Sequence, residues 1–179
     1  IVAPDEPFAV LLPDVLNYHP KKESLAQKAE YYKQVHTNVI APEQVPSEQV
    51  HKYGIAGVLD SDLRITELVE KPKPEEAPSN LSVVGRYIFT PRLMELLKST
   101  KPGVAGEIQL TDAMAHLLNE EVMFGFEFKN GKSYDCGDKQ GFLEANVEYA
   151  LRDNVLGKAF REYLAGLDIA KTLKESGIK

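Results

Sequence analysis

Phe8-Ala9-Val10-Leu11-Leu12 is an unbroken apolar run that stops at Pro13-Asp14, and a run of that length and type belongs in a β-strand covered on both faces. Such a strand needs neighbours, and the residues after it supply candidates. Residues 23–35 set Leu25, Ala29, Tyr32 and Val35 at helical intervals, and residues 37–41 form a β-branched stretch that ends at Pro42. Residues 55–59 and 63–69, joined by Asp60-Ser61-Asp62, predict a hairpin. A proline-rich loop, 71–78, leads into a strand over 81–90. Thr90-Pro91 predicts a helix start with Thr90 as the cap, and a second helix opens near Thr111. A strand over 122–128, the turn Asn130-Gly131 and helices over about 138–152 and 156–167 complete the pattern. Strands alternating with helices predict a layered α/β fold around a mostly parallel sheet, with a β-rich insertion over about 43–80. The main domain is expected to run to about residue 155, with 156–179 as a helical end segment.

Charge narrows the partners. With 27 acidic against 21 basic side chains the net charge is −6, which offers no broad attraction to nucleic acid or anionic lipid, so neither is expected. The apolar runs fall far short of the ~20 residues a membrane span requires and no cationic leader precedes them, so a cytoplasmic location is expected. Cys136 is the single cysteine, which excludes an internal disulfide and a cysteine-based zinc cluster. The four histidines have no metal-ligand spacing, and no serine or cysteine sits in a nucleophile elbow. The chain begins at Ile1 and is already in an apolar strand by Phe8, from which we expect it to be a segment of a longer polypeptide.

In open α/β sheets ligands gather at the carboxyl ends of strands, and three sets of residues fall there. Asp14 follows the first strand, either as an oxygen ligand for Mg²⁺ or as a solvated or helix-capping carboxylate. Glu70-Lys71-Pro72 ends a strand, with the two side chains expected on opposite faces, one for hydroxyls and one for phosphate; the other reading is a surface charge pair. Asp135-Cys136-Gly137-Asp138 precedes a helix, where Asp138 is expected to be an N-cap and Asp135 either a turn residue or a second metal ligand. Thr111 and Asp112, in Gly106 to Asp112, favour helix-start chemistry over function.

Taken in order, residues 8–16, Lys52-Tyr53-Gly54-Ile55, Val69-Glu70-Lys71-Pro72, Ala77-Pro78-Ser79-Asn80-Leu81, Val84-Gly85-Arg86-Tyr87, residues 106–112 and Tyr134-Asp135-Cys136-Gly137 resemble the bacterial UTP:glucose-1-phosphate uridylyltransferases. The resemblance covers about residues 6–160 and is least clear at 17–50. It implies a Rossmann-like mixed sheet flanked by helices, of the nucleotide-diphospho-sugar transferase type, present here as an incomplete domain. It implies transfer of a uridylyl group from UTP to glucose 1-phosphate, giving UDP-glucose and pyrophosphate, with Mg²⁺ as cofactor and a homo-oligomer as the working form. Asp14 and Asp135 match the metal ligands, Glu70 the residue on the sugar hydroxyls, Lys71 the catalytic phosphate contact, and Gly54 and Gly85 backbone positions lining the sugar pocket. The family's glycine-rich loop around the triphosphate does not occur in this sequence, so the chain alone is expected to have little or no activity. A thymidylyltransferase and a non-catalytic sugar-nucleotide-binding or subunit-association module are the alternatives, the first disfavoured by the Ala77-Pro78-Ser79-Asn80 and Asp135-Cys136-Gly137 segments.

Overall fold

A computed structural model describes residues 3, 5–59, 62–83, 85–103 and 106–177. Asp60 and Ser61 of the expected hairpin turn, and Val84 of the strand expected over 81–90, lie outside the described residues. Packing divides the chain into two compact units, Ile1–Ser133 and Tyr134–Lys179. The division expected near residue 155 falls inside the second unit, between two of its helices.

The first unit contains β1 (Phe8–Leu11), β2 (Val15–Tyr18), α1 (Ser24–Val35), β3 (Asn38–Ile40), β4 (Pro42–Gln44), β5 (Gly54–Leu59), β6 (Arg64–Glu70), β7 (Leu81–Val83), β8 (Arg86–Phe89), α2 (Arg92–Ser99), α3 (Leu110–Leu117) and β9 (Met123–Gly125). Eight strands form one sheet in the order β1, β8, β3, β9, β6, β5, β7, β4. The sheet is mixed and flanked by helices, as expected, but its parallel part is narrower than the alternation of strands and helices suggested. Among the described strands β3 and β9 run parallel, with Asn38 opposite Met123, while β1, β8, β5, β6, β7 and β4 pair antiparallel. A parallel pair needs a crossover of about a dozen residues or more, and the short link between β5 and β6 allows only a hairpin. The β-rich stretch expected as an insertion over 43–80 supplies β4, β5 and β6 to this same sheet.

Two corrections concern the outer elements. The run at 8–12 is not covered on both faces: β1 is an end strand paired to β8, Phe8 and Val10 pack on the core, and Leu11 is 50% exposed. The strand expected over 81–90 is broken at Gly85, where the backbone turns so that Gly85 O accepts from Leu12 N at 2.9 Å.

One face of the sheet carries the main core, where Ile40, Ala56, Leu68, Tyr87 and Phe89 meet Leu93 and Leu96 of α2 and Met114 and Leu117 of α3. On the other face α1 packs across β8 and β3. Thr90 does not cap α2: its hydroxyl donates to Glu121 Oε2 at 2.6 Å, and its N–H donates to Asn38 Oδ1, tying the helix entrance to the sheet. β10 (Lys132–Asp135) leads out of the first unit, and the second contains α4 (Lys139–Arg152), α5 (Gly157–Gly166) and α6 (Ile169–Glu175). Asp138 is the expected N-cap of α4, accepting from Gln140 N and Gly141 N, and Tyr134 OH donates to Glu148 Oε2 of the same helix at 2.7 Å. No helix among the described residues is long and apolar enough to cross a membrane.

Candidate functional site

Gly54 opens β5 and Glu70 closes β6, and the hairpin register sets them directly opposite each other. That pairing places a carboxylate beside a residue with no side chain. A Cβ on Gly54 would stand 3.1 Å from Glu70 Oε2 and 2.8 Å from Thr111 Oγ1, so the bare backbone lets the Glu70 carboxylate and the first turn of α3 close in on residue 54. Thr111 is buried there, 8% exposed. Its helix-start position and its place at this junction are compatible, because α3 aims its first turn at the end of the hairpin.

Lys71 has a left-handed backbone, φ 46°, which a non-glycine residue adopts at a cost and which concentrates at functional sites. Its N–H donates to Tyr53 O at 2.9 Å, continuing the hairpin ladder past Glu70, and Pro72 is buried behind it. The side chains of Glu70 and Lys71 therefore do not part to opposite faces as strand alternation predicted. The left-handed turn brings Lys71 Nζ within 3.8 Å of Glu70 Oε1. Nor are they a surface pair, since Glu70 is only 11% exposed while Lys71, at 43%, reaches solvent.

Asp14 sits on the exposed link between β1 and β2, and Arg86 fixes that link from both sides. Its guanidinium donates to Leu12 O at 2.8 Å, to Gly85 O at 2.9 Å and to Val15 O at 2.6 Å. Gly85 is needed for the approach, because a Cβ there would lie 2.7 Å from Leu12 Cβ. Tyr87 joins the two clusters: burial, then the charges of Glu70 and Asp14, push its phenol well above the usual range, with Arg86 opposing. The hydroxyl therefore stays protonated as a donor within electrostatic reach of both carboxylates. Sequence reading missed Tyr87 and Arg86 as individual site residues; the signal available was their adjacency to Gly85.

Asp135 belongs to the second unit. Its Oδ1 accepts from Gly137 N at 3.0 Å and Asp138 N at 3.3 Å, the turn role that sequence reading held open for it. Gly141 lets α4 start against the Asp135 carbonyl, which any side chain there would strike. Among the described residues no group of three or more His, Cys, Asp or Glu side chains could hold a metal ion. The donor chemistry of Asp14 suits Mg²⁺ nonetheless: this cation takes one or two carboxylates and leaves its other positions to water and phosphate, and Asp14 is an exposed hard-oxygen ligand on a pinned loop.

Comparison with known proteins gives a consistent picture. The family model described as nucleotidyl transferase matches residues 1–152. The UTP--glucose-1-phosphate uridylyltransferase of Haemophilus influenzae is 43% identical over 94% of this chain and 60% of its own length. That of Pseudomonas aeruginosa is 46% identical over 79% of this chain and 52% of its own. A crystal structure of UDP-glucose pyrophosphorylase complexed with UDP-glucose superposes with TM-score 0.76 at 39% identity, over 83% of this chain and 58% of that one. The chain thus spans a little over half the length of the relatives it matches.

Proposed function

The chain belongs to the nucleotidyl transferase family, and on that premise we propose that the complete protein joins UTP and glucose 1-phosphate into UDP-glucose and pyrophosphate. The observation that carries the reading is the junction at Gly54, where the Glu70 carboxylate and Thr111 close in on bare backbone and Lys71 follows with its ammonium beside Glu70. A buried carboxylate beside bare backbone suits sugar hydroxyls, and the half-exposed ammonium next to it suits the phosphate on the sugar's anomeric carbon. Relatives carrying this pair in their names and a solved complex with UDP-glucose support the choice of substrates.

The chemistry asks little of the protein in covalent terms. The attacking oxygen belongs to a phosphate that is already anionic, so neither a protein nucleophile nor a strong general base is required. What remains is alignment of two anions for in-line attack and neutralisation of charge on the transferring group. On our reading Glu70 and the Gly54 and Gly85 backbone orient the sugar, Tyr87 keeps a neutral hydroxyl in the field of the carboxylates, and Lys71 holds the phosphate. Asp14 is assigned as a ligand of a divalent cation, Mg²⁺, which would shield the triphosphate, while Asp135 holds the turn before α4. Arg86 keeps Asp14 in place.

Pyrophosphate release by the complete protein with glucose 1-phosphate and Mg²⁺ tests the proposal. UTP should support turnover far better than dTTP, and Glu70→Gln should raise KM for glucose 1-phosphate more than KM for UTP. Equal use of dTTP would move the protein to the thymidylyl class. Absence of turnover, with UDP-glucose still bound, would make it a sugar-nucleotide-binding protein instead.

A further inference from the structure

On the face of the sheet that α1 covers, the first unit has a partly open cavity of about 450 Å³ whose walls include Lys28, Glu43, Arg86, Glu127, Phe128 and Ser133. We propose that this cavity binds a small phosphorylated metabolite, with Lys28 as the residue that takes its phosphate. Gly54, Glu70, Lys71, Gly85 and Thr111 do not line it, and Arg86, which holds the Asp14 link, does. Arg86 and Tyr87 are neighbours on β8, and strand alternation sends them to opposite faces, so the cavity and the Gly54–Glu70 junction lie on different faces of the sheet. The inference therefore goes beyond the proposed reaction.

Lys28 is the reason. It is 1% exposed, in a helix whose sequence pattern predicted Leu25, Ala29, Tyr32 and Val35 as the inward stripe. Its ammonium donates to Ser24 Oγ at 2.5 Å and lies 5.7 and 5.4 Å from the ring centres of Phe126 and Phe128. Among the described residues no carboxylate stands within ion-pair distance of it. A buried ammonium satisfied by one hydroxyl and two ring faces is a costly arrangement for a structural residue, since buried charges are normally paired. Burial lowers its pKa to about 8, which leaves it charged at neutral pH.

The other wall groups fit an anion with an uncharged body. Arg86 commits three of its five donors to backbone carbonyls and contributes positive potential to the cavity. Glu127 is ion-paired to Lys129 at 3.0 Å, so its charge is directed elsewhere. Glu43 and Ser133 remain for hydroxyls of the ligand, and Phe128 offers an apolar wall. The volume lies inside the range of about 300–1,000 Å³ found for small-molecule sites.

Titration of the complete protein with inorganic phosphate, followed by calorimetry and ³¹P line broadening, tests the site. Wild type should bind saturably, and Lys28→Met should weaken binding by roughly tenfold or more, the usual effect of deleting a charged hydrogen-bond donor. Lys71→Ala, which removes the ammonium assigned to the sugar's phosphate, should leave the Lys28-dependent binding in place. Glu43→Gln should tighten binding by roughly threefold through loss of a nearby negative charge, a gain that misfolding cannot imitate. Absence of saturable binding in wild type, wild-type affinity in Lys28→Met, or no gain in Glu43→Gln each overturns the proposal. Loss of binding in Lys71→Ala alone would place phosphate beside Glu70 and Lys71, which supports the proposed reaction while removing this second site.

Discussion

Lys71 and Lys28 show how differently one residue type is used in this chain. Lys71 is held in a left-handed turn with its ammonium partly in water, the arrangement of a charge kept ready for an incoming phosphate. Replacing it with alanine in the complete enzyme should lower turnover by about 10²-fold, because deleting one preorganised charge at a developing oxyanion costs roughly 3 kcal/mol; steady-state kinetics with saturating substrates would measure this. Gly54→Ala should raise KM for glucose 1-phosphate, since the new methyl would stand 2.8 Å from Thr111 Oγ1 and 3.1 Å from Glu70 Oε2 and push these side chains from their places. Lys28 carries a prediction about stability. Its folded-state pKa, about 8, lies below the unfolded value near 10.4, so the unfolded chain holds more protons between these values. The destabilisation is fully present below pH 8 and is relieved as pH rises toward about 10.5, by an amount on the order of 3 kcal/mol. Denaturant unfolding across pH 7 to 10.5 should show this rise against the general alkaline loss, and Lys28→Met should be more stable than wild type at pH 7 and lack it.

At the scale of elements, the β5–β6 hairpin and β8 do most of the positioning. The hairpin register alone sets Gly54 against Glu70, and a slip by one residue would turn Glu70 to the other face of the sheet. β8 serves both faces: Tyr87 stacks on Phe89 in the core at 5.5 Å between ring centres, while Arg86 reaches back to hold the β1–β2 link. Arg86→Lys should therefore act through Asp14. A lysine cannot span three carbonyls, so the complete enzyme should need more Mg²⁺ for half-maximal rate, with a smaller effect on KM for glucose 1-phosphate. In the second unit, Asp138→Ala removes two side-chain hydrogen bonds from the start of α4 and should cost about 1 kcal/mol in denaturant unfolding, as N-cap deletions commonly do.

For the whole molecule, apolar patterning located most of what the chain builds. Residues 23–35, 63–69 and 138–152 appear as a helix, a strand and a helix close to their expected bounds, because periodicity reports which side of an element faces the core whatever that core turns out to be. Asp138 as a cap was legible for the same reason, being a local bargain between one side chain and the next turn. Strand direction and neighbours were not local. The end position of β1, the break at Gly85 and the largely antiparallel pairing arise from which segments meet, and meeting partners leave no trace in the spacing of a single run. Asp14, Glu70, Lys71, Gly54 and Gly85 could be named from residue order and family likeness, yet Thr111, Tyr87 and Arg86 enter the site only through the register of the hairpin and the turn into β8. A buried lysine went unforeseen because a long polar side chain on an amphipathic helix reads as solvent-facing, and it is the packing of α1 against β8 and the aromatic segment at 126–128 that closes water off from it.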